Sequence, residues 1–403
     1  MESDAEGGTN HVIRLATGEA HDLCRVESKR ALDAPDPRQI QHLAVPRRGK
    51  QPANPFEWSF LNGPTDQQFT DNLSTIDRFN AEVRKLASKK PEAISASLAW
   101  FGGESDNLSK AEQRILNVFA EADAKAISLQ RCSQKTLTLI FLIGWIMVAA
   151  FDYYSNIYGH FFILGIYIVG LFVASAIYIF DRSMKIYTRC LDYRGLAEGL
   201  RVQLFYHLAG VPSQAADHYL RKQRNELTWI RQAMTALDLG QRRTKLRFDY
   251  VKKYWINDQM AYFKSASCRD RRKFYRNKNL AICFFVVGLT FAFFGFLIEF
   301  WTDGIHHDTI WMHWIIALMA FLPATAAVLT GYSDRRGLGQ HTKQYEKMYE
   351  IFSRAAAIIN SLDETEDIAT LQRIVGELGK ESLSENADWI LLHRERPISL
   401  PGR

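Results

Sequence analysis

The sequence predicts an all-α integral membrane protein, with four transmembrane helices arranged as two hairpins and extended cytoplasmic helices. Three observations point there. The apolar residues concentrate in four segments, 136–154, 161–180, 280–300 and 311–331. Lys and Arg crowd the chain on one side of those segments and are absent from the short connections on the other. The remaining polar chain repeats its apolar residues every three or four positions, and nowhere alternates long enough to suggest a sheet.

Residues 1–72 read as a disordered, Pro-rich N-terminal arm. Pro35, Pro37, Pro46, Pro52, Pro55 and Pro64 interrupt it, and no period is sustained. The arm carries no apolar stretch, so no cleaved signal peptide is expected. Residues 73–135 read as cytoplasmic helices. The first begins near Ser74, with Ile76, Phe79, Val83 and Leu86 on one face. After a break at "WFGGESDN", Ser109-x-x-Glu112 forms a capping box, because the serine accepts from a free backbone N–H and the glutamate returns the bond. Ile115, Phe119, Ala122 and Ala126 keep helical spacing from there.

The first hairpin occupies 136–180 and the second 280–331. About 20 residues at 1.5 Å each span a hydrocarbon core of roughly 30 Å. Phe161 to Phe180 is an unbroken run without a charge, and no segment keeps the polar stripe of a buried soluble helix. The connections "DYYSNIYGH" and "EFWTDGIHHDTIWMH" contain no Lys or Arg. Seven cations, Lys264, Arg269, Arg271, Arg272, Lys273, Arg276 and Lys278, precede the third span as a membrane-surface cluster. By the positive-inside rule both termini and the middle segment lie in the cytoplasm of a cell whose inner membrane holds the four spans. The lipid bilayer is the first expected partner, since such a cluster attracts anionic headgroups.

The middle segment, 181–279, reads as cytoplasmic and helical, with Tyr193, Leu196, Ala197, Leu200, Leu204 and Leu208 on one helix. Leu227, Ile230, Met234 and Leu237 follow on a second, and Trp255, Gln259, Tyr262 and Ala266 on a third. The C-terminal segment, 332–403, repeats the theme with Tyr345, Met348, Phe352, Ala356 and Ile359, then Leu371, Ile374, Val375 and Leu378. The halves look duplicated. Each second span ends in Asp-Arg, "IFDRSMK" and "GYSDRRG", and each half closes with a Trp-Ile pair.

Chemistry-bearing motifs are scarce. There is no phosphate-cradling glycine loop, nucleophile elbow or His-Glu-x-x-His, so no enzyme activity, catalytic residue or cofactor is expected. His306, His307 and His313 with Asp303 and Asp308 are of types that ligate zinc, but adjacent histidines ordinarily mark a polar turn, and no metal is expected. Asp152 and Glu299 close the first and third spans, either as an acidic outer mouth or as carboxylates marking the lipid boundary. Ionisable side chains are absent from the span midplanes, where coupled carriers need them. Small residues stand there instead: Gly170 and Ala174, Ala320 and Ala324, Gly288 and Gly295 would let helices approach within or between chains, and Pro323 would kink the fourth span. Such faces suit a homo-oligomer. Nucleic acid is not an expected partner, since the cations sit at the bilayer surface.

"YWINDQMAYFKSASCRDRRKFYRNKNLAICFFVVGLTF" resembles the entry to a SLATT domain, a two-transmembrane effector module, through Trp255, Asp258, Gln259, Tyr262 and Phe263 ahead of a span. The spacing differs a little from the family's. "GKESLSENADWILLHRERP" is similar to the closing helix of SLATT-like proteins, so the likeness covers 251–397. The earlier half is similar to larger bacterial architectures that place a SLOG domain first. The resemblance implies a prokaryotic defence or conflict effector that permeabilises the membrane on a cytoplasmic signal. A separate nucleotide-sensing partner, SLOG or nucleotidyltransferase-linked, would supply that signal, because the first hundred residues carry no SLOG glycine loop. The alternative is a membrane-anchored signalling scaffold that conducts nothing.

Overall fold

The computed structural model describes residues 41–43, 58–60, 66–219, 227–238, 246–302, 309–364 and 366–394. The chain falls into two compact units, Met1–Arg84 with Arg221–Trp229, and Lys85–Leu220 with Ile230–Arg403.

In the first unit a short antiparallel pair, β1 (Gln41–Leu43) and β2 (Trp58–Phe60), sets Gln41 opposite Phe60. Helix α1 runs over Asp66–Lys89. Both features fall inside the stretch expected to be a structureless arm to residue 72, and α1 starts eight residues before Ser74. The expectation failed because the opening turns of α1 are polar and have no apolar period to betray them. The rest of the arm lies outside the described residues. The expected apolar face of α1 is present: Phe79 and Val83 are buried, and Phe79 packs its ring 6.3 Å from Trp229.

The second unit is helical throughout its described residues. Pro91 occupies the first turn of α2 (Pro91–Leu98), where its missing N–H would be unpaired anyway. Gly102 and Gly103, at φ 66° and 74°, turn the chain at the expected break. Ser109 and Glu112 then close the anticipated capping box, with bonds of 3.3 and 2.8 Å, and start α3 (Lys110–Asn156). This single helix is about 70 Å long at 1.5 Å per residue. It crosses the expected border at 135/136 without a break.

Span 2 is α4 (Phe161–Met184), and α5 (Ile186–Ala209) follows it through one residue, Lys185, whose φ of 47° is left-handed. Three short elements come next: α6 (Ala215–His218), α7 (Thr228–Asp238) and α8 (Phe248–Val251). A π-helical turn at Lys252–Asn257 leads into α9 (Asp258–Thr302), the second very long helix, and this one crosses 279/280 unbroken. The fourth span is α10 (Ile310–Arg335); α11 (Leu338–Asn360) and α12 (Ile368–Arg394) complete the chain. Among the described residues four helices are long and apolar enough to cross a membrane, with one apolar stretch in each of α3, α4, α9 and α10. The protein is an all-α multi-pass membrane protein in two hairpins whose helices extend beyond the apolar segments.

Both halves share one layout. A long helix enters a hairpin, and the return helix comes back along it: α5 packs on α3, and α11 packs on α9. The span exits match too. Arg182 donates to the Tyr178 hydroxyl at 3.1 Å and Arg336 to the Tyr332 hydroxyl at 3.0 Å, each four residues apart. Helix α5 is the centre of the bundle outside the spans, with its Tyr193, Leu196, Ala197, Leu200, Leu204 and Leu208 all buried. Gly195 and Gly199 let partners close in: a Cβ on Gly195 would stand 2.8 Å from Ile390 and 3.4 Å from Ile230, the isoleucines of the two Trp-Ile pairs.

Candidate functional site

The functional surface has two layers, the spans and the bundle they run into. Span 1 packs on span 2, span 1 on span 4, and span 4 on span 3. The spans therefore form an open row in the order 2-1-4-3, with spans 2 and 3 on its edges. The central seam between spans 1 and 4 is aromatic and hydrogen-bonded. Trp145 Nε1 donates to Thr325 Oγ1 at 3.1 Å, its ring lies 5.5 Å from Phe321, and Phe141 stands edge-on to Tyr332. Outward faces stay bare: Phe172 is 70% exposed, Phe296 64% and Phe300 69%. Side chains this apolar need lipid or another protein surface.

Small residues bring helices together within the hairpins at Gly170, Gly288 and Gly295. Gly170 faces Met147 and Ile143 of span 1, and Ala174 on the same helix is half-buried. Gly288 abuts Pro323, and Gly295 faces Ile315. Pro323 sits inside α10. Ala320 is exposed and Ala324 half-buried, so Ala320 takes no part in the packing within this chain. Ala317, Thr325 and Ala326 form the buried face of α10 instead. The position of span 1 decides which face turns inward, and that cannot be read from a small-x-x-x-small pattern.

Asp152 is half-buried and accepts a 3.0 Å bond from Asn156, its own helical neighbour. Glu299 is likewise half-buried, and no contact joins it to Asp152. His313 bonds within its own helix start, and its expected companions Asp303, His306, His307 and Asp308 lie outside the described residues. Among the described residues no three metal-ligating side chains cluster.

The basic cluster is where the periodicity placed it, on α9 just before span 3. Lys264, Arg269, Arg271, Arg272, Arg276 and Lys278 are exposed and Lys273 half-buried. Arg271 reaches Glu346 of α11 at 3.8 Å, and Asn277 bonds Ser333 at 3.0 Å, tying spans 3 and 4 at this level. These arginines and lysines are mostly solvated, so their role is a field and not a set of tight pairs.

Beyond the basic level the continuations of all four spans converge, and sequence reasoning did not foresee what they enclose. A cavity of about 140 Å³ is lined by Gln130 of α3, Arg194 of α5, Gln259 and Tyr262 of α9, Tyr345 of α11 and Asn386 of α12, among others. That volume is close to the roughly 150 Å³ that admits one benzene-sized ring. Arg194 is held from two sides, 3.0 Å from Asp123 and 2.8 Å from Glu198. Burial opposes its charge, but Glu198 and Asp123 outweigh that and raise its pKa further above the ordinary arginine value. Asp123 also accepts from Ser97 at 2.9 Å. Burial pushes the Cys190 thiol up to about 12 and raises Tyr345 well above the usual phenol range, so both stay protonated. The buried Ser382 hydroxyl in the same wall has no partner. This chemistry offers hydrogen bonds and flat stacking surfaces, Trp255 and Trp389 included. It suits binding, because its thiol and phenol are kept from acting as nucleophiles.

Next to the cavity, His341 and His393 stack with Nε2 atoms 3.0 Å apart. His393 Nδ1 lies 2.8 Å from the Trp389 carbonyl, which assigns it the proton and leaves His341 Nε2–H as the donor to His393 Nε2. Burial first, then His393, drives the His341 pKa down to about 4. Comparisons with protein-family models, with curated proteins and with solved structures return no match.

Proposed function

We propose that this chain is a regulated membrane effector whose helical bundle receives a cytoplasmic signal and whose spans respond by permeabilising the bilayer. The observation that carries the reading is the continuity of the spans with the bundle. Spans 1 and 3 run into it without a break, span 2 through Lys185 alone, and span 4 through the two residues Arg336 and Gly337. A change in how α3, α5, α9 and α11 pack around the cavity therefore changes how four spans pack in the membrane, because rigid helices transmit rotation along their length. The excess of Lys and Arg on one side of the spans supports a cytoplasmic bundle and cytoplasmic termini, and the resemblance of 251–397 to SLATT domains supports a role in prokaryotic defence with a separate nucleotide sensor as trigger.

An open row of spans encloses no conduit by itself. The leak accordingly forms between copies, which is why the effector acts as a homo-oligomer and why spans 2 and 3, on the row's edges, are its contact faces. The same open row favours a second reading, a membrane-anchored scaffold that recruits partners and conducts nothing.

Induced expression with a membrane-potential dye separates the two. The effector depolarises cells, and Pro323→Leu, which straightens span 4, diminishes that depolarisation more than it diminishes insertion. Potential and growth that stay normal at full membrane expression of the wild-type chain under every trigger tried leave only the scaffold.

A further inference from the structure

We propose that the second hairpin carries a site for one anionic phospholipid, with its phosphate between Lys278 and Lys343 and an acyl chain laid beside Pro323. Two hollows carry the inference. A groove of about 730 Å³ runs between spans 3 and 4, lined by Ala281, Ile282, Phe285, Pro323, Ala326 and Ala327 in its apolar part. It ends at Phe274, Lys278, Ser333 and Asp334. A second hollow of about 780 Å³ shares Phe274, Ser333 and Asp334 and adds Arg271, Tyr275, Lys343 and Glu346. Together they make one trough, greasy along the spans and charged at its bundle end. An amphiphile has that same polarity gradient, and the charged end lies in the basic cluster, at the level where headgroups sit.

The trough exists for a local reason. Pro323 of the fourth span lies against Gly288, and the small side chains of Ala281, Ala326 and Ala327 leave the hollow beside it unfilled. Its charge favours phosphate. Arg271 already answers Glu346, at 3.8 Å. Lys278 and Lys343 form no ion pair among the described residues, and against them stands one further carboxylate, Asp334. The surplus is positive, whereas Lys273 and Arg276 on neighbouring turns line neither hollow. A second copy of this chain would be a poor occupant, because its span interiors carry no carboxylate to meet two lysines. The first hairpin supplies the contrast. Its groove, about 460 Å³ between Ile143, Met147, Phe162 and Val169, has no charged lining residue. It can hold a chain but cannot choose a headgroup. The proposal stands whether the protein conducts or only anchors.

The test is native mass spectrometry of the full chain in detergent, titrated with phosphatidylglycerol and, separately, phosphatidylcholine. One phosphatidylglycerol should persist where phosphatidylcholine is lost. At about fivefold per lysine, Lys278→Gln with Lys343→Gln should weaken that adduct roughly thirtyfold, and Ala327→Trp, at an exposed position in the apolar half, should weaken it comparably. Lys273→Gln with Arg276→Gln removes as much charge from outside the trough and should change little. Equal weakening by both lysine and control pairs would replace the site with diffuse attraction. Equal retention of the two lipids would overturn headgroup choice, and chain–chain adducts that exclude lipid would make a second copy the occupant. Circular dichroism checks that each variant is folded, and the single lysine variants stand in if the double one is not.

Discussion

Adding one methyl group to Gly288 tests the close approach of spans 3 and 4. An ideal Cβ there lies 2.5 Å from Pro323 Cδ, 2.8 Å from its Cγ and 3.2 Å from Leu322 Cβ. None of these is the free end of a flexible side chain, since the proline ring is bonded to its own backbone, so the helices must part. Overpacking of this kind costs about 1–3 kcal/mol. Alanine also gains helix propensity over glycine, about 1 kcal/mol, which would mask part of the loss. Gly144→Ala removes that ambiguity: it sits mid-span in α3 with nothing within 4 Å of its Cβ, so it gains the propensity and meets no clash. The difference between the two variants isolates packing, and Gly288→Ala should be the less stable by about 1–3 kcal/mol. Gly170→Ala should fall between them, because its Cβ meets the flexible Met147 side chain at 2.6 Å and methionine turns aside readily. Unfolding in mixed micelles by titrated SDS, followed by far-UV circular dichroism, measures all three. Pro323→Ala on the Gly288→Ala background should recover part of the loss, a coupling of about 1 kcal/mol. Identical midpoints for Gly288→Ala and Gly144→Ala would mean that the spans are not in contact there.

Three further outcomes follow from contacts described above. Trp145→Phe and Thr325→Val each delete the hydrogen bond between spans 1 and 4, and a double-mutant cycle in micelles should give a coupling of about 0.6 kcal/mol; zero coupling would dissolve the central seam. Arg194→Met leaves Asp123 without its cation, while Glu198 keeps Arg201 at 2.7 Å, and should destabilise the chain by about 1–3 kcal/mol, read as a lowered melting temperature. A variant as stable as wild type would show that the Asp123 carboxylate is solvated. The His341 pair predicts acid sensitivity. Its folded pKa, about 4, lies below the ordinary 6.5, so the unfolded chain takes the proton first. Stability is then complete above about pH 6.5 and falls as pH drops towards 4, by an amount on the order of 3 kcal/mol. Melting temperature against pH should flatten in His341→Gln, and curves that stay parallel to wild type would place the acid sensitivity elsewhere.

The spans, the basic cluster and the capping box at Ser109 were legible because each is a local signal: twenty apolar residues in line, seven cations in fifteen positions, a serine three residues ahead of a glutamate. Buried faces of α5, α7, α11 and α12 were legible for the same reason, through their three-and-four spacing. That Ala320 stays outside the packing within the chain was not legible, because small residues announce that a helix can be approached, but not from which side. The start of α1 was missed because its opening turns carry no apolar period. The cavity was invisible. Its lining comes from helices at residues near 130, 194, 260, 345 and 386, and although Gln259, Tyr262 and Tyr345 were legible as positions on periodic helix faces, no periodicity says that those faces meet around a hollow.

What the sequence alone determined is the partition between hydrocarbon and water, with the crowding of cations to one side of it. Those follow from transfer free energies and charge, which act residue by residue along the chain. Only the tertiary structure decided that the spans lie in the order 2-1-4-3, that Pro323 rests on Gly288, and that four span continuations close around Arg194. Those depend on which surfaces are complementary in shape, a property of pairs of helices that no single helix's periodicity contains.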